Sequence, residues 1–510
     1  MSTVLSNAAS THTDTSTPLT SRHKLFITAG LVALLLIALL MRLYTLGVPF
    51  DRDSYDEGVY WQTLRSLGAG YSLYHPTFYS QPPMFIFSIF PTYLLFGQTL
   101  WSARLGIALI SLLGLAGMVL LGYALRNWSG AFIALLLLIL APLYLSASQT
   151  IQAEGPQVAF SLLSVAFAYL WWQKPEGWRG SLLAALCTLT LVLSLFSKLF
   201  ALTTFVPVAL LALAQIWRIT RQPAGTRWQS ARSLIIGIAV AILATVVLML
   251  PFLNVLPDFW AGVITFHNVA KSTTSQLGNG TRLASFLLAP LSFAALYGSI
   301  VALLRKDWRV LPLLAWALAS AIMLWQQQPL FDHHLVILVP ILSALAVMGW
   351  GEVPLNKKAW TQPSGLISAG CLLLVLITVV FGARIIQLNY RQAQTRANAA
   401  ATQGSLRTAH ELDQVVPADG FVITDGQFLT ALAGRNTPPE LVDTSSVRIN
   451  TNYLTSQQLI QLASQPKVKA VLFYTGRLTN PRLQEFRSWV QQHFHQVKSY
   501  GKDGSLWVKI

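Results

Sequence analysis

The chain has 510 residues, of which 54% are hydrophobic and only 11% carry a charge. The polar side chains are too few to cover the surface of a soluble globule of this size. The composition therefore excludes a soluble protein and indicates a multi-pass membrane protein. The formal net charge of +16 does not indicate a nucleic-acid partner, since Lys and Arg lie mostly in short loops between apolar segments, where membrane topology explains them.

The N-terminal part predicts a tail followed by a membrane anchor. Residues 1–21 are rich in Ser and Thr without apolar periodicity, so we expect them to be disordered. Arg22, His23 and Lys24 then precede an apolar run to Leu46, which is too long for a signal-peptide core and lacks a small-residue cleavage site. This run is predicted to be an uncleaved transmembrane helix with a cytoplasmic N-terminus.

The first external loop, residues 47–99, contains the stretch that we interpret as the active-site loop. From Asp51 to Pro83 it combines carboxylates, Tyr and Trp residues and a Pro-Pro pair. Ser54 followed three residues later by Glu57 is a capping box, which predicts a helix from Tyr55.

Within that helix, Tyr60, Leu64 and Leu67 share one apolar face. Asp56 lies in its first turn, where the helix N-terminus favours an ionised carboxylate. This position leaves Asp56 available to take a proton or a metal.

Further apolar runs predict the rest of the membrane domain, residues 22–387. They lie at about 100–125, 129–147, 154–172, 181–197, 199–217, 233–253, 283–304, 310–327, 333–350 and 365–385, and with the first run they predict about eleven transmembrane helices. The stretch 83–97 is interrupted by Pro91 and as a helix would reach only about 22 Å, against a hydrocarbon core of about 30 Å. We expect it to lie in the interface or to re-enter.

Loop charge supports this assignment. The basic short loops then all fall on the cytoplasmic side, and they contain Arg126, Lys174, Arg179, Arg218, Arg221, Arg227, Arg232, Arg305, Lys306, Arg309, Lys357 and Lys358. If 83–97 crossed the membrane, these loops would lie outside. The odd number of crossings places the C-terminal tail on the same, external side of the membrane as the first loop. We expect the membrane to be the plasma membrane.

Residues 388–510 read as an extracytoplasmic α/β domain. Strands are predicted at 420–424, 440–442, 470–474 and 506–510, and helices at 427–433, 456–463 and 481–492. Because this domain has neither a glycine-rich phosphate loop nor a nucleophile motif, we interpret it as a lid or acceptor-side domain.

Charged residues gather in the loops predicted to be external. They are Glu154 at the start of a helix, Lys198 within the apolar stretch 181–217, His267, Asn268 and Lys271, and finally Asp332, His333 and His334. The external face offers no ATP or nucleotide sugar, so an enzyme there is expected to take its activated group from a lipid carrier.

The order of these motifs resembles the GT-C glycosyltransferases over residues 25–350, and within them the protein O-mannosyltransferases and the lipid A aminoarabinose transferases. The resemblance implies a GT-C fold and transfer of a sugar from a polyprenyl-phosphate donor to an acceptor hydroxyl. It matches Asp56 to the catalytic carboxylate, and also matches Glu57 and Glu154 to acidic site residues, Arg104 to the helix Arg and Lys198 to the Lys at a helix break.

The mechanism that the resemblance implies is an inverting transfer with Asp56 as base. Lys198, Arg104, His267 and His334 would bind the donor phosphate, and Tyr60, Tyr74 and Gln81 the substrate. Protein, lipid or glycan hydroxyls remain open as acceptors. Where many relatives have a Lys before Pro-Pro, and some a metal-binding Glu before that, this chain has Gln81 and Ser80. We therefore expect no required cofactor, and the question of a bound divalent metal is left open.

Structural roles are the alternative interpretation of several of these residues. Glu57 fits a capping box, Asp56 a first-turn acid, and Glu154 an acid at a helix start. Lys198 fits a residue that snorkels to the interface. His333 and His334 fit the membrane interface, as do most of the tyrosines. Cys187 and Cys371 lie in apolar segments and read as packing residues.

Two other functions remain open from the sequence. A transporter or flippase of lipid-linked sugars would explain the many helices and the buried Lys, but the acids gather at one interface and no inverted repeat relates the two halves. A receptor-like membrane protein would use its tail to bind a partner.

Overall fold

A computed structural model describes residues 21–44, 46–48, 54–271, 275–350, 363–501 and 504–510. Residues 1–20 of the tail predicted over 1–21, the first residues of the predicted active-site loop, and Lys357 and Lys358 lie outside these ranges.

The described residues between Ser21 and Ala397 are mostly helical. Its α-helices are α1 (Ser21–Leu43), α2 (Ser54–Gly68), α3 (Met84–Leu95), α4 (Leu100–Ile139), α5 (Pro142–Ala147), α6 (Glu154–Gln173), α7 (Gly177–Leu195), α8 (Phe205–Thr220), α9 (Ala224–Met249), α10 (Leu256–Trp260), α11 (Phe266–Lys271), α12 (Asn279–Leu287), α13 (Pro290–Leu304), α14 (Val310–Gln326), α15 (Leu338–Met348) and α16 (Pro363–Ala397). Short 3-10 helices occupy Leu199–Thr204, Leu250–Val255 and Asp332–Ile337, and Ala261–Thr265 is a π-helix.

Within the described residues, six helical stretches are long and apolar enough to cross a membrane, or seven if the bent pair α12 and α13 is one span. This number is lower than the predicted eleven. Three of the apolar helices, Met84–Leu95, Val310–Gln326 and Asp332–Met348, have 17 residues or fewer. Two predicted runs, 100–125 and 129–147, form the 40-residue stretch α4 and the short helix α5.

Helix α4 folds back on itself at Arg126 and Asn127, whose backbone angles are not helical. The two arms approach closely at Gly122 and Gly130, where a Cβ on either glycine would lie 2.5 Å from the carbonyl oxygen of the other. Arg126 closes this end by donating to Asp307 at 2.7 Å. The stretch is therefore a helical hairpin with small residues at the contact, and its two arms correspond to the predicted run 100–125 and the first part of the run 129–147.

The stretch 83–97 contains only the 12-residue helix α3, about 18 Å long, which is shorter than a bilayer core of about 30 Å. Phe85, Ile86, Ile89 and Tyr93 are buried and join a core that also includes Leu64 of α2. This core lies beneath the first loop, next to the larger core of the helix bundle.

The C-terminal domain has helix α17 (Ala400–Val415), strand β1 (Phe421–Thr424), helices α18 (Gln427–Leu432), α19 (Ser446–Asn450) and α20 (Ser456–Ser464), strand β2 (Val468–Phe473), helix α21 (Gln484–His493), and strands β3 (Phe494–Ser499) and β4 (Ser505–Lys509). The sheet order is β1-β2-β4-β3, with β1 and β2 parallel and the other pairs antiparallel.

The predicted α/β class of this domain is confirmed, with two errors in its strands. Residues 439–441 form a 3-10 helix rather than a strand, because Pro438 and Pro439 cannot donate to a ladder. The edge strand β3 was not predicted from the sequence, since only Phe494 of its six residues is buried and the strand has no apolar alternation.

Candidate active site

Glu57, in the first turn of α2, forms a buried ion pair with Arg104 of α4. Arg104 Nε donates to Glu57 Oε1 at 2.7 Å and Nη2 donates to Oε2 at 2.5 Å, and neither side chain is more than 2% exposed. Glu57 Oε1 also accepts the backbone N–H of Ile151 at 3.0 Å. The carboxylate therefore joins α2 to the membrane domain, while the Ser54 side chain, the other half of the predicted capping box, lies outside the described residues.

Two further donors of Arg104 are also in use. Its Nη1 donates to the carbonyl oxygens of Leu46 at 3.0 Å and Val48 at 2.7 Å. A guanidinium that is enclosed in this way presents no exposed face to a ligand. The predicted contact between Arg104 and a donor phosphate is therefore not supported by its position, and neither is a direct chemical role for Glu57.

A second buried acid, Glu154, begins α6 and pairs with Lys198. Lys198 Nζ donates to Glu154 Oε1, and its ammonium lies 5.1 Å from the centre of the Phe200 ring. Nε2 of His333 lies 3.5 Å from the same oxygen, and Nε2 of His334 lies 3.6 Å from it. One carboxylate thus faces three cationic or potentially cationic groups, of which Lys198 keeps 11% and His333 keeps 17% of the side chain exposed.

Glu154, His333 and His334 also form a set of ligand atoms that lie within 4.8 Å of one another. One carboxylate and two imidazoles match the ligands that zinc takes in proteins. The hydrogen bond made by His334 fits a cluster of ion pairs better than it fits a zinc site. His334 Nδ1 accepts the N–H of Phe331 at 3.3 Å, so a neutral His334 carries its hydrogen on Nε2, facing the carboxylate.

Backbone contacts bring the other predicted site residues to this cluster. The N–H of Met84, directly after Pro-Pro, donates to the carbonyl of Phe196 at 2.8 Å, near Lys198. His267 Nε2 makes a 2.7 Å hydrogen bond with the carbonyl oxygen of Ser80. His267 and the segment that leads into Lys198 thus contact the two ends of the same Pro-Pro turn.

The predicted substrate-binding residues differ in their surroundings. Tyr74 is 7% exposed and donates its hydroxyl to the Gln81 carbonyl at 2.9 Å, so it supports the turn before Pro-Pro. Tyr60 and Gln81 are partly exposed, and Tyr60 packs edge-on against Phe85. Asp56 is partly exposed in the first turn of α2, as predicted.

Sequence reasoning missed the contribution of the C-terminal domain. Tyr55 Oη donates to Asp443 Oδ1 at 3.1 Å, and Gln62 Nε2 donates to the carbonyl of Arg435 at 3.1 Å. These residues are far apart in the chain and belong to no known motif. The Asp-Thr-Ser turn at 443–445 was the one local signal, because such residues often precede a helix.

Comparison with protein families indicates the class of protein to which this fold and these sites belong. Residues 61–267 match the family described as dolichyl-phosphate-mannose-protein mannosyltransferase. This match indicates a glycosyltransferase, and it includes Arg104, Glu154 and Lys198 but not Asp56. The match covers less than half of the chain, and together with the fold it confirms the predicted resemblance to the GT-C glycosyltransferases and the predicted fold class.

Among solved structures, the chain is similar to ArnT from Cupriavidus metallidurans. The apo structure aligns with 95% of this chain and 98% of that chain at 15% identity and a TM-score of 0.60. The structure bound to undecaprenyl phosphate aligns with 96% and 99% at 14% identity and a TM-score of 0.61.

The chain is also similar to the archaeal oligosaccharyltransferase AglB from Archaeoglobus fulgidus in complex with an inhibitory peptide and a dolichol-phosphate. The alignment covers 95% of this chain and 74% of that chain, at 14% identity and a TM-score of 0.53. Comparison with curated proteins finds no match.

Replacing Glu57 by Gln tests the buried pair. The variant leaves the Arg104 charge buried without its carboxylate, so we expect the free energy of unfolding to fall by about 3–5 kcal/mol. Thermal unfolding in detergent measures this as a lower midpoint. The matched control is Arg282→Gln, which breaks an exposed pair with Asp332 and should cost about 1 kcal/mol or less. Equal losses in the two variants would contradict the structural role of Glu57.

Proposed function

We propose that this protein transfers a sugar, with inversion, from a polyprenyl-phosphate donor to an acceptor hydroxyl at the outer face of the plasma membrane. Its N-terminus is then cytoplasmic and its C-terminal domain extracytoplasmic. The observation that carries this proposal is the series of contacts that connects the segment of Asp56 with Lys198. Glu57, next to Asp56, binds the backbone of Ile151, and the same segment leads into Glu154, which pairs with Lys198.

In this reaction Asp56 takes the proton of the acceptor hydroxyl. The acceptor oxygen forms a bond to the anomeric carbon, and the bond from that carbon to the phosphate oxygen breaks. The lipid phosphate leaves with the electron pair. Asp56 suits the role because it lies partly exposed at a helix N-terminus, where an ionised carboxylate is favoured.

The departing phosphate needs positive charge, and the cluster around Glu154 supplies it. Lys198 has three N–H groups and uses one of them on Glu154, so further donors remain for an anion. His333 and His334 contact the same carboxylate, and His267 is hydrogen-bonded to the Ser80 carbonyl just before the Pro-Pro turn. We assign phosphate binding to Lys198 and these histidines and withdraw it from Arg104, whose guanidinium is enclosed.

Tyr60 and Gln81 remain our candidates for contact with the sugar, because both side chains are partly exposed near the turn at Pro-Pro. Tyr74 shapes this turn through its bond to the Gln81 carbonyl. The acceptor is a hydroxyl of a protein, a lipid headgroup or a glycan. The family match and the fold favour an enzyme over a transporter or a receptor.

Replacing Asp56 by Asn tests the base. A general base contributes about 100- to 10,000-fold, so kcat should fall by that factor while binding of undecaprenyl phosphate to the purified protein is unchanged. Mass spectrometry of lipids and glycans from cells with and without the protein identifies the donor and acceptor for the transfer assay.

Asp258→Asn is the control, since Asp258 is an acid that is 53% exposed and has no part in the proposed transfer. It should retain full activity. If Asp56→Asn transferred sugar at the wild-type rate, Asp56 would not be the base.

Replacing Lys198 by Gln tests the phosphate site. We expect undecaprenyl phosphate to bind at least about tenfold more weakly, which corresponds to the loss of one charge-assisted hydrogen bond of about 1.5–3 kcal/mol. Lys174→Gln, at the other end of the helix that Glu154 begins, is the control and should bind normally. Unchanged binding by the Lys198 variant would refute the assignment, and isothermal titration in detergent measures it.

Chelation tests whether a divalent metal takes part. If a metal is required, Glu154, His333 and His334 are the described residues that would hold it, and it would supply positive charge at the phosphate. Because Lys198 and the His334 Nε2 hydrogen already face Glu154, we expect transfer to continue after dialysis against EDTA. Loss of activity that added Zn²⁺ or Mn²⁺ restores would show that a metal is needed.

A further inference from the structure

Tyr55, the residue before Asp56, lies in a socket formed by the C-terminal domain. Its hydroxyl donates to Asp443 Oδ1 at 3.1 Å and accepts the N–H of Thr444 at 3.1 Å. Asp443 Oδ1 is fixed in turn by the N–H of Ser445 at 2.7 Å, and Asp443 is 8% exposed. Both hydrogen-bonding functions of the hydroxyl are therefore used.

Two arginines complete the socket. The guanidinium of Arg477 lies 3.6 Å from the centre of the Tyr55 ring. Arg448 is 5% exposed and donates to the carbonyl oxygens of Asp443 and Glu440, and its guanidinium lies 3.7 Å from the centre of the Phe78 ring. Arg448 thus makes the socket rigid and also connects it to the first loop.

The rest of α2 is held by the same domain. Gln62 Nε2 donates to the Arg435 carbonyl, and its Oε1 accepts the N–H of Thr437 at 3.3 Å. Arg65 Nε donates to Asn436 Oδ1 at 2.7 Å. Gly58 allows close contact, because a Cβ at this position would lie 2.3 Å from the backbone nitrogen of Phe428.

Asp56 is therefore placed between two anchors that belong to different parts of the molecule. Tyr55 is fixed to the C-terminal domain, and Glu57 is fixed to Arg104 and Ile151 of the membrane domain. Consecutive helical residues differ by about 100° in direction, so fixing both neighbours also fixes the direction of Asp56. A contact on one side alone would let the first turn rotate or fray.

We propose that Tyr55 and Asp443 are positioning residues, through which the C-terminal domain holds the first turn of α2 so that Asp56 points at the acceptor hydroxyl. This inference rests on the proposed function, and it gives the C-terminal domain a direct part in catalysis. Burial raises the pKa of the Tyr55 hydroxyl well above its ordinary value of 10, so it remains a donor throughout the physiological range.

The central variant is Tyr55→Phe, which removes the hydroxyl and keeps the ring beneath Arg477. A misplacement of about 1 Å costs on the order of 100-fold in rate, so we expect kcat to fall about 10- to 100-fold. KM for the lipid donor and the affinity for undecaprenyl phosphate should not change. Asp443→Asn should lower kcat in the same way, and the double variant should be no worse than the poorer single variant, because both remove one interaction.

Tyr500→Phe is the matched control. Tyr500 donates to a carboxylate oxygen of Glu411 at 2.9 Å within the same domain, so this variant removes the same group from an equivalent bond away from α2. It should retain wild-type kcat. A wild-type kcat for Tyr55→Phe would overturn the proposal, as would an equal loss in Tyr500→Phe or a change in KM alone.

Hydrogen–deuterium exchange of the full-length protein separates this inference from the proposed function. Peptides from residues 54–68 should exchange faster in Tyr55→Phe and Asp443→Asn than in the wild type and in Tyr500→Phe. This result would support the positioning contact even if no sugar transfer were found, in which case the proposed function alone would fail. Unchanged exchange in these peptides would refute the contact whatever the activity.

Discussion

The buried pair of Glu57 and Arg104 is the interaction on which the rest of the site depends. Two charges that are almost fully removed from water are costly unless each has further hydrogen bonds. Here the carbonyls of Leu46 and Val48 and the N–H of Ile151 provide them. The pair consequently connects the segment after α1, the start of α2, the helix α4 and the segment before α6. Four separate parts of the chain must be in place for it to form, and the first turn of α2 is fixed by the same contacts.

The second buried acid has a different balance of charge. Glu154 faces Lys198 and two histidines, so positive groups outnumber the carboxylate when an imidazole is protonated. A lysine that is mostly buried among apolar helices needs an anion nearby, and Glu154 provides one in the absence of substrate. A phosphate that enters this region would share the same donors. In the proposed reaction the two acids thus have different roles, since the Glu57 pair fixes the geometry and the Glu154 cluster holds the positive charge that the leaving phosphate needs.

The C-terminal domain contributes to the geometry of the site from the other side. Its socket for Tyr55 and its contacts to Gln62 and Arg65 hold α2 along most of its length. The α/β layer is small, and its edge strand β3 is largely exposed. Its buried face supports the loop 436–448, and this loop reaches α2. A domain without a catalytic motif of its own can therefore influence the rate by orienting a carboxylate on another domain.

The sequence by itself determined the membrane class, the helix that carries Asp56, the short helix at 84–95 and the α/β character of the tail, because apolar runs, helix-start signals and alternating patterns are local. It also indicated the break between the runs 100–125 and 129–147, but not that the two arms of α4 pack against each other at Gly122 and Gly130. Only the tertiary structure decided the partners of Glu57, Arg104 and Tyr55. These partners lie 47 to 388 residues apart in the chain, and no local pattern specifies which buried charge meets which.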